Sequence, residues 1–327
     1  MKRPAFVPRL TRCIACVTVA LLLCKTSAAT VAQAPAAPEI AHLRIGTPGG
    51  DSQAESWYAE DQGFFQKYGL DADVEAMRGS GAGVTAGVVG GAIDIGEADL
   101  IAITAARQHG IPLVLIAPSG MYNEGAPTTA LIAAKGTPVH DGHAMEGQTV
   151  AVLSLEGPAK VATMAWVDKH SGHSDLVHYV EMPPAQMGDA VARGTVLAAT
   201  PTEPSLSVAL SGTEMLAPVY SAIAPRFEIS AWFATADFVK KNPATVRAFQ
   251  RAIHDTALWA NLAANHPRSA EILAKYTKVP LDRIMAMNRS QYGVTYDPKT
   301  GQPLLDAAYK YHSIATPQTA AALTQAP

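Results

Sequence analysis

The sequence predicts an α/β fold with mixed, mostly parallel sheets, and three observations carry that expectation. Short β-rich runs recur along the chain, helical patterns separate most of them, and 327 residues suffice for two lobes at roughly 150 residues per domain. An apolar share of 48% supplies a sizeable core, while charged residues make up 16% against ~25% in typical soluble proteins. The formal net charge of −3 shows no basic excess of the kind a nucleic-acid binder carries.

The amino-terminal segment stands apart from the alternation. Lys2, Arg3, Arg9 and Arg12 precede an apolar stretch over 14–24, and small residues follow over 27–34. This reads as a secretory signal peptide over 1–34, with cleavage after Ala29, Ala32 or Ala34. The apolar stretch is too short to span a bilayer, which takes ~20 residues. A lipid anchor at Cys24 is disfavoured by Leu23, because lipoprotein signals carry a small residue there. Cys13, Cys16 and Cys24 all lie in this leader, so the exported chain is expected to hold no disulfide, no thiolate nucleophile and no cysteine metal site. With 20 basic against 28 acidic residues left after Ala34, its charge would be −8.

Strands are expected over 43–45, 73–76, 92–95, 113–117, 129–134, 149–153, 177–180, 197–200 and 229–234. Ser52 with Glu55 forms a capping-box pattern ahead of Trp57 and Tyr58. Pro158 suits the first turn of a helix over 158–169. Asn242-Pro243 opens a long helix whose Val246, Phe249, Ile253 and Ala257 share one face. The last third reads as mostly helical, broken at 265–267, 279–280 and 297–303, and the Ala/Thr/Gln-rich tail 317–327 is expected to fray.

Four stretches carry a family resemblance. They are Leu43-Arg44-Ile45-Gly46 leading to Trp57-Tyr58-Ala59-Glu60-Asp61-Gln62-Gly63-Phe64-Phe65 and Gly69-Leu70; Gly79-Ser80-Gly81 through Gly90-Gly91-Ala92-Ile93-Asp94-Ile95-Gly96; Met145-Glu146-Gly147-Gln148-Thr149-Val150-Ala151-Val152 with Met182-Pro183-Pro184-Ala185-Gln186; and Ala190-Val191-Ala192-Arg193-Gly194 running to Glu203-Pro204. In this order they resemble the type II periplasmic solute-binding proteins of nitrate, sulfonate, taurine and thiamine-pyrimidine ABC importers. The sequence departs from that pattern at Leu197 and Thr202, where the family often carries an acidic and an aromatic residue.

The resemblance implies two α/β lobes joined by a two-stranded hinge: 43–126 with 228–316 in the first lobe, 135–222 in the second, and crossovers at 127–134 and 223–227. It implies a monomeric periplasmic protein with no cofactor. Such a protein captures a small polar molecule of amine, sulfonate or pyrimidine type and delivers it to an inner-membrane ABC permease.

Open parallel sheets bind ligands beyond the carboxyl ends of their strands. That rule selects Thr47, Asp51 and Gln53; Ser80, Gly81, Ala82 and Gly83; Glu97 and Asp99; Tyr122 and Asn123; Leu155, Glu156 and Gly157; and Thr200, Thr202 and Glu203. Helix starts at 51–53, 80–83 and 156–158 would offer free N–H groups to a small anion. Five of the selected residues are acidic, with Arg78 the one nearby base, so the expected ligand carries a cationic or donor group. Alanine at Glu97 or Glu203 is expected to weaken binding without unfolding the protein. Tyr122-Asn123 is favoured as a ligand contact, whereas Trp57 and Trp232 are expected in the core.

Other classes are weaker. Gly79, Gly81 and Gly83 match neither a dinucleotide fingerprint nor a phosphate loop. His140, His143, His170, His173 and His178 fall at the end of the second lobe away from the cleft, and surface positions are expected for them in preference to a metal site. Relatives that make the thiamine pyrimidine use a cysteine cluster, which the exported chain would lack. A periplasmic ligand sensor is the remaining alternative, since docking surfaces leave no short signature.

Overall fold

The computed structural model describes Met1 and residues 37–40, 42–77 and 81–327. The expected signal peptide with its cleavage sites and Cys24, and Arg78, Gly79 and Ser80, lie outside the described residues.

Alternating burial makes the first strand: Leu43 and Ile45 are fully buried in β1 (His42–Thr47). From there α1 (Glu55–Asp61), α2 (Phe64–Lys67), β2 (Asp71–Ala76), α3 (Gly81–Val89), β3 (Ile95–Asp99), α4 (Leu100–Gln108) and β4 (Leu113–Pro118) follow. The chain leaves through β5 (Gly120–Asn123) and enters a second body of β6 (Leu131–Ala134), β7 (Thr149–Val152), α5 (Pro158–Lys169), β8 (His178–Glu181), α6 (Pro184–Ala192), β9 (Ala198–Ala199), α7 (Ser205–Ala209) and β10 (Thr213–Ala217). It returns through β11 (Arg226–Glu228) to β12 (Ser230–Thr235) and α8 (Ala236–Lys241). The chain then runs through α9 (Pro243–Ala260), α10 (His266–Thr277), α11 (Leu281–Ala286), β13 (Gln291–Tyr292) and α12 (Pro298–Lys310).

Two five-stranded sheets result, ordered β2-β1-β3-β12-β4 and β8-β7-β9-β6-β10. In each, the second strand from one end is antiparallel to its neighbours: β12 against β3 and β4, and β6 against β9 and β10. Both odd strands adjoin a crossover. Between the lobes, β5 pairs antiparallel with β11, Tyr122 opposite Phe227, and β13 adds on the other side of β5. Tyr122, Tyr220 and Phe227 pack at centroid distances of 5.3–5.6 Å beneath this pair. The mixed α/β architecture is therefore as expected.

Several local expectations change. Residues 131–134 of the expected crossover form β6, a full member of the second sheet, which shortens the outgoing link to 124–130. Ser52 is no helix cap: Asp51–Gln53 form a 3-10 turn, α1 starts at Glu55, and the Glu55 carboxylate turns inward to accept the Trp232 indole N–H at 2.7 Å. The stretch 297–303 opens α12 instead of breaking a helix, with Pro298 in its first turn and Pro303 inside it. The long helix α9 is as read, with Val246, Phe249, Ile253 and Ala257 buried and Phe249 packed on Phe65 and Trp232.

The tail does not fray. Ala320 and Leu323 are fully buried, and the Arg107 guanidinium donates to the carbonyls of Leu113, Ala322 and Gln325. Apolar anchoring plus a charged donor on chain-end carbonyls holds the segment down. Leu323→Ala is accordingly expected to cost about 2–4 kcal/mol in urea unfolding, whereas a frayed tail would give a change within about 0.5 kcal/mol.

Candidate functional site

The strand order brings the carboxyl ends of β1, β3, β7 and β9 to the seam between the lobes. What stands there falls into two sets: carboxyl groups buried among internal partners, and a cavity beside them.

Asp51 belongs to the first set. It is 1% exposed; Oδ1 accepts from Arg289 Nε at 2.9 Å and Oδ2 from the Ser290 backbone N–H. Arg289 also donates to the Tyr58 hydroxyl at 2.7 Å, and the Tyr292 hydroxyl donates to the Asp51 carbonyl. Asp51 thus anchors 289–292 to the turn after β1, and its own N–H reaches the Glu203 carbonyl of the second lobe at 3.3 Å. Removing Arg289 would strand a buried charge. Arg289→Met is expected to lower stability by about 3–5 kcal/mol in chemical denaturation, with Asp51→Asn in the same chain recovering part of the loss.

Glu97 is fully buried and held by hydroxyls: Ser119 and Ser230 donate to Oε1 at 2.6 and 3.0 Å, and Thr47 Oγ1 lies 3.2 Å from Oε2. Burial pushes its pKa up to about 7 against those hydrogen bonds. Burial likewise raises Glu228 to about 8 and Glu203 to about 7, the latter despite hydrogen bonds from the Ser207 N–H and hydroxyl. These groups keep a proton in the folded chain that the unfolded chain releases near pH 4.5.

The stabilisation they allow is thus complete below about pH 4.5 and lost as pH rises through about 7–8. Unfolding midpoints are expected to fall from pH 5 to pH 8. Glu97→Gln, which keeps the shape but cannot ionise, flattens that slope by its share, on the order of 3 kcal/mol. A midpoint that rises across the range, or a slope unchanged in the variant, contradicts this account.

The other sequence-selected residues distribute as follows. Tyr122 is fully buried, its hydroxyl 2.7 Å from Ser221 Oγ, and its segment is strand β5 instead of a loop. Asn123 accepts from the Gly125 N–H at 3.0 Å. Gln53 closes the turn after β1, where its carbonyl accepts from the Thr47 hydroxyl at 2.8 Å. Thr200 is fully buried with its N–H on the Ala151 carbonyl, and Thr202 bridges to Thr129. Leu155 donates its N–H to Glu181, and Gly157 caps α5. Gly83 is exposed on α3. Gly81 starts α3 hard against β3, where a Cβ would meet Ala98 Cβ at 2.9 Å and Asp99 Oδ2 at 3.2 Å.

Ala82, Asp99 and Glu156 line a cavity of about 560 Å³. One wall is α3, through Ala82, Thr85, Ala86 and Val89; the other is α4, through Ala102, Ala105 and Ala106, with Ile111 at the far end. Ser154 and Glu156 of the second lobe stand at its rim. The walls are apolar, and no described lining residue is basic. Asp99 caps α4, accepting the Ala102 N–H at 2.9 Å, and burial pushes its pKa up to about 6.

Sequence reasoning missed most of this lining. The signal was there: positions 82, 85, 86 and 89 carry small or apolar side chains at i, i+3, i+4, i+7 spacing, and 102, 105 and 106 repeat it. Trp57 and Trp232 are core residues; the Trp57 ring stacks on Tyr276 at 4.7 Å. His143 lies 3.2 Å from Glu146, and His170 stacks on Trp166. Among the described residues no three His, Cys, Asp or Glu side chains gather as a metal site.

Two lobes of matching strand order, linked by two strands and sharing a cavity, define the class of two-lobed solute-binding folds. The chain belongs to the NMT1/THI5-like family, whose model matches residues 53–270. The fold is similar to that of the periplasmic nitrate-binding protein NrtA from Synechocystis PCC 6803, at 18% identity and a TM-score of 0.73 over 88% of this chain and 86% of that one. The aliphatic sulphonate binding protein SsuA from Escherichia coli is similar at 16% identity and TM-score 0.69, over 86% of this chain and 96% of that one. A zinc-bound ligand-binding component of an ABC-type import system from Staphylococcus aureus has 13% identity and TM-score 0.71, over 87% and 98%. No curated protein sequence matches significantly.

Proposed function

We propose that this protein is the solute-binding component of an ABC importer, exported to the periplasm, where it captures a small molecule between its lobes and presents it to an inner-membrane permease. The observation that carries this reading is the cavity walled by α3 and α4 of one lobe and rimmed by Ser154 and Glu156 of the other. Family membership and the likeness to solved import components support it. Among the described residues no helix is long and apolar enough to cross a membrane.

The mechanism follows from the connections. Among the described residues, hydrogen bonds between the lobes include the Asp51 N–H to the Glu203 carbonyl, the Tyr122 hydroxyl with Ser221 Oγ at 2.7 Å, and the Tyr311 hydroxyl to Asp168 at 3.0 Å, and Asn288 Nδ2 donates to the Pro127 carbonyl of the outgoing link at 2.9 Å. Rotation about the β5/β11 pair would exchange seam contacts such as Asp51–Glu203 with water, while α12 packs on α5 across the lobes, and a bridging solute selects the closed form.

The first test is a thermal-shift panel of nitrate, sulfonates, amines and aminopyrimidines on the purified protein, followed by small-angle X-ray scattering with each hit. A solute at 100 times its Kd adds about 2.7 kcal/mol and should raise the unfolding midpoint by several degrees while reducing the radius of gyration. If no solute in the panel gives either effect and native mass spectrometry finds none co-purifying, the solute-binding reading fails.

A further inference from the structure

Resting on that reading, we propose that the cargo is an amphiphilic amine. Its alkyl or aryl body lies between α3 and α4, and its ammonium head is set at the cavity rim between Asp99 and Glu156.

The cavity's own chemistry carries this. Its volume of about 560 Å³ lies within the range of sites for small organic ligands and is far larger than a bare inorganic ion requires. Its long walls are formed chiefly by apolar groups of Ala86, Val89, Ala102, Ala105, Ala106 and Ile111, and the Thr85 hydroxyl among them already donates to the Gly81 carbonyl at 2.8 Å, so the walls reward hydrocarbon and give an anion little to hold. Polar lining is concentrated at the rim, where Asp99 comes from the first lobe and Ser154 and Glu156 from the second. Two carboxylates and a hydroxyl, with no base among the described lining residues, suit a cationic donor and oppose a sulfonate or carboxylate head. Arg78 is the nearby base in sequence and lies outside the described residues, so the decisive comparison is between head groups on the same chain.

Butylamine, hexylamine, octylamine and 2-phenylethylamine would be titrated calorimetrically into the protein beside alkanesulfonates of matching length. The amines should bind, and each added methylene should tighten Kd about 4-fold until the cavity is filled. Asp99→Asn keeps the helix cap but removes the charge, and should weaken the amines about 10-fold or more. Ala86 is solvent-exposed on α3, so Ala86→Trp can fill the cavity from its surface without entering the core. It should abolish chain-length dependence while leaving the unfolding midpoint within a few degrees of the parent.

Sulfonates binding more tightly than amines of equal length would overturn the proposal. So would amine affinity unmoved by both variants, or no amine binding at all. In each of those cases the importer reading survives if nitrate, a sulfonate or an aminopyrimidine still binds and compacts the protein; it falls with the proposal only if no solute class does.

Discussion

Each sheet contains one strand running against the others, and each such strand adjoins a crossing between the lobes: β6 on the way out, β12 on the way back. This constraint organises the molecule. The second sheet is built from one continuous stretch, 131–217, but the first lacks β12 until the chain has gone out and come back, so the first lobe closes only after both crossings, and β5 and β11 lie side by side as the connecting ribbon. The parallel strands left in each sheet then aim their carboxyl ends at the same seam. A binding site at that seam is a consequence of connectivity before any side chain is chosen.

Side chains decide what the seam becomes. In both lobes the helix after the second parallel strand carries mostly small residues at i, i+3, i+4, i+7 spacing: 82, 85, 86 and 89 on α3, and 185, 188 and 192, with Asp189 among them, on α6. The outcomes differ. In the second lobe Gly188 lets α6 close onto α7, where a Cβ would stand 2.8 Å from Ala209 Cβ, and the groove there is only about 120 Å³. In the first lobe Gly81 brings the start of α3 close to α4, where a Cβ would stand 3.3 Å from Ala102 Cβ, but Gly87 further along meets Met77 and Ile93 beneath the helix, so beyond that first contact the stripe lines open space. The same pattern yields close packing in one place and a cavity in the other, depending on where the glycine points.

That contrast also marks what sequence alone conveys. Local signals suffice for these helices: α9 could be read from the spacing of its apolar residues, and α5 from the proline at its first turn. Short strands such as β7 and β8 stand out as β-rich runs, whereas β5, β10 and β13 are held by partners distant in the chain and carry no comparable local signal. The acidic residues suffer most from this. Glu97 reads as a cleft carboxylate until Ser119 and Ser230 are seen to converge on it, and Asp51 reads likewise until Arg289 arrives from more than two hundred positions away. Of the five acidic residues selected at strand ends, Asp99 and Glu156 line the cavity, while Asp51, Glu97 and Glu203 are absorbed by hydrogen bonds within the fold. A residue type at a strand end reports proximity to the seam; its exposure depends on the rest of the chain.

The division of the cavity between lobes bears on how binding would be coupled to closure. Both long apolar walls belong to one lobe, so hydrocarbon seated between α3 and α4 gains its burial whether or not the second lobe swings in. Such contacts contribute affinity and leave the open–closed equilibrium where it was, because a ligand shifts an equilibrium only by its difference in affinity for the two states. Ser154 and Glu156 are the lining groups that move with the second lobe, and they meet the ligand only at the rim. A solute that fills the walls but offers nothing to that rim would therefore bind without closing the protein. One whose head engages Glu156 gains a contact present in the closed form alone. Hydrocarbon sets how tightly the solute is held, and the head group sets whether a permease would see the protein as loaded.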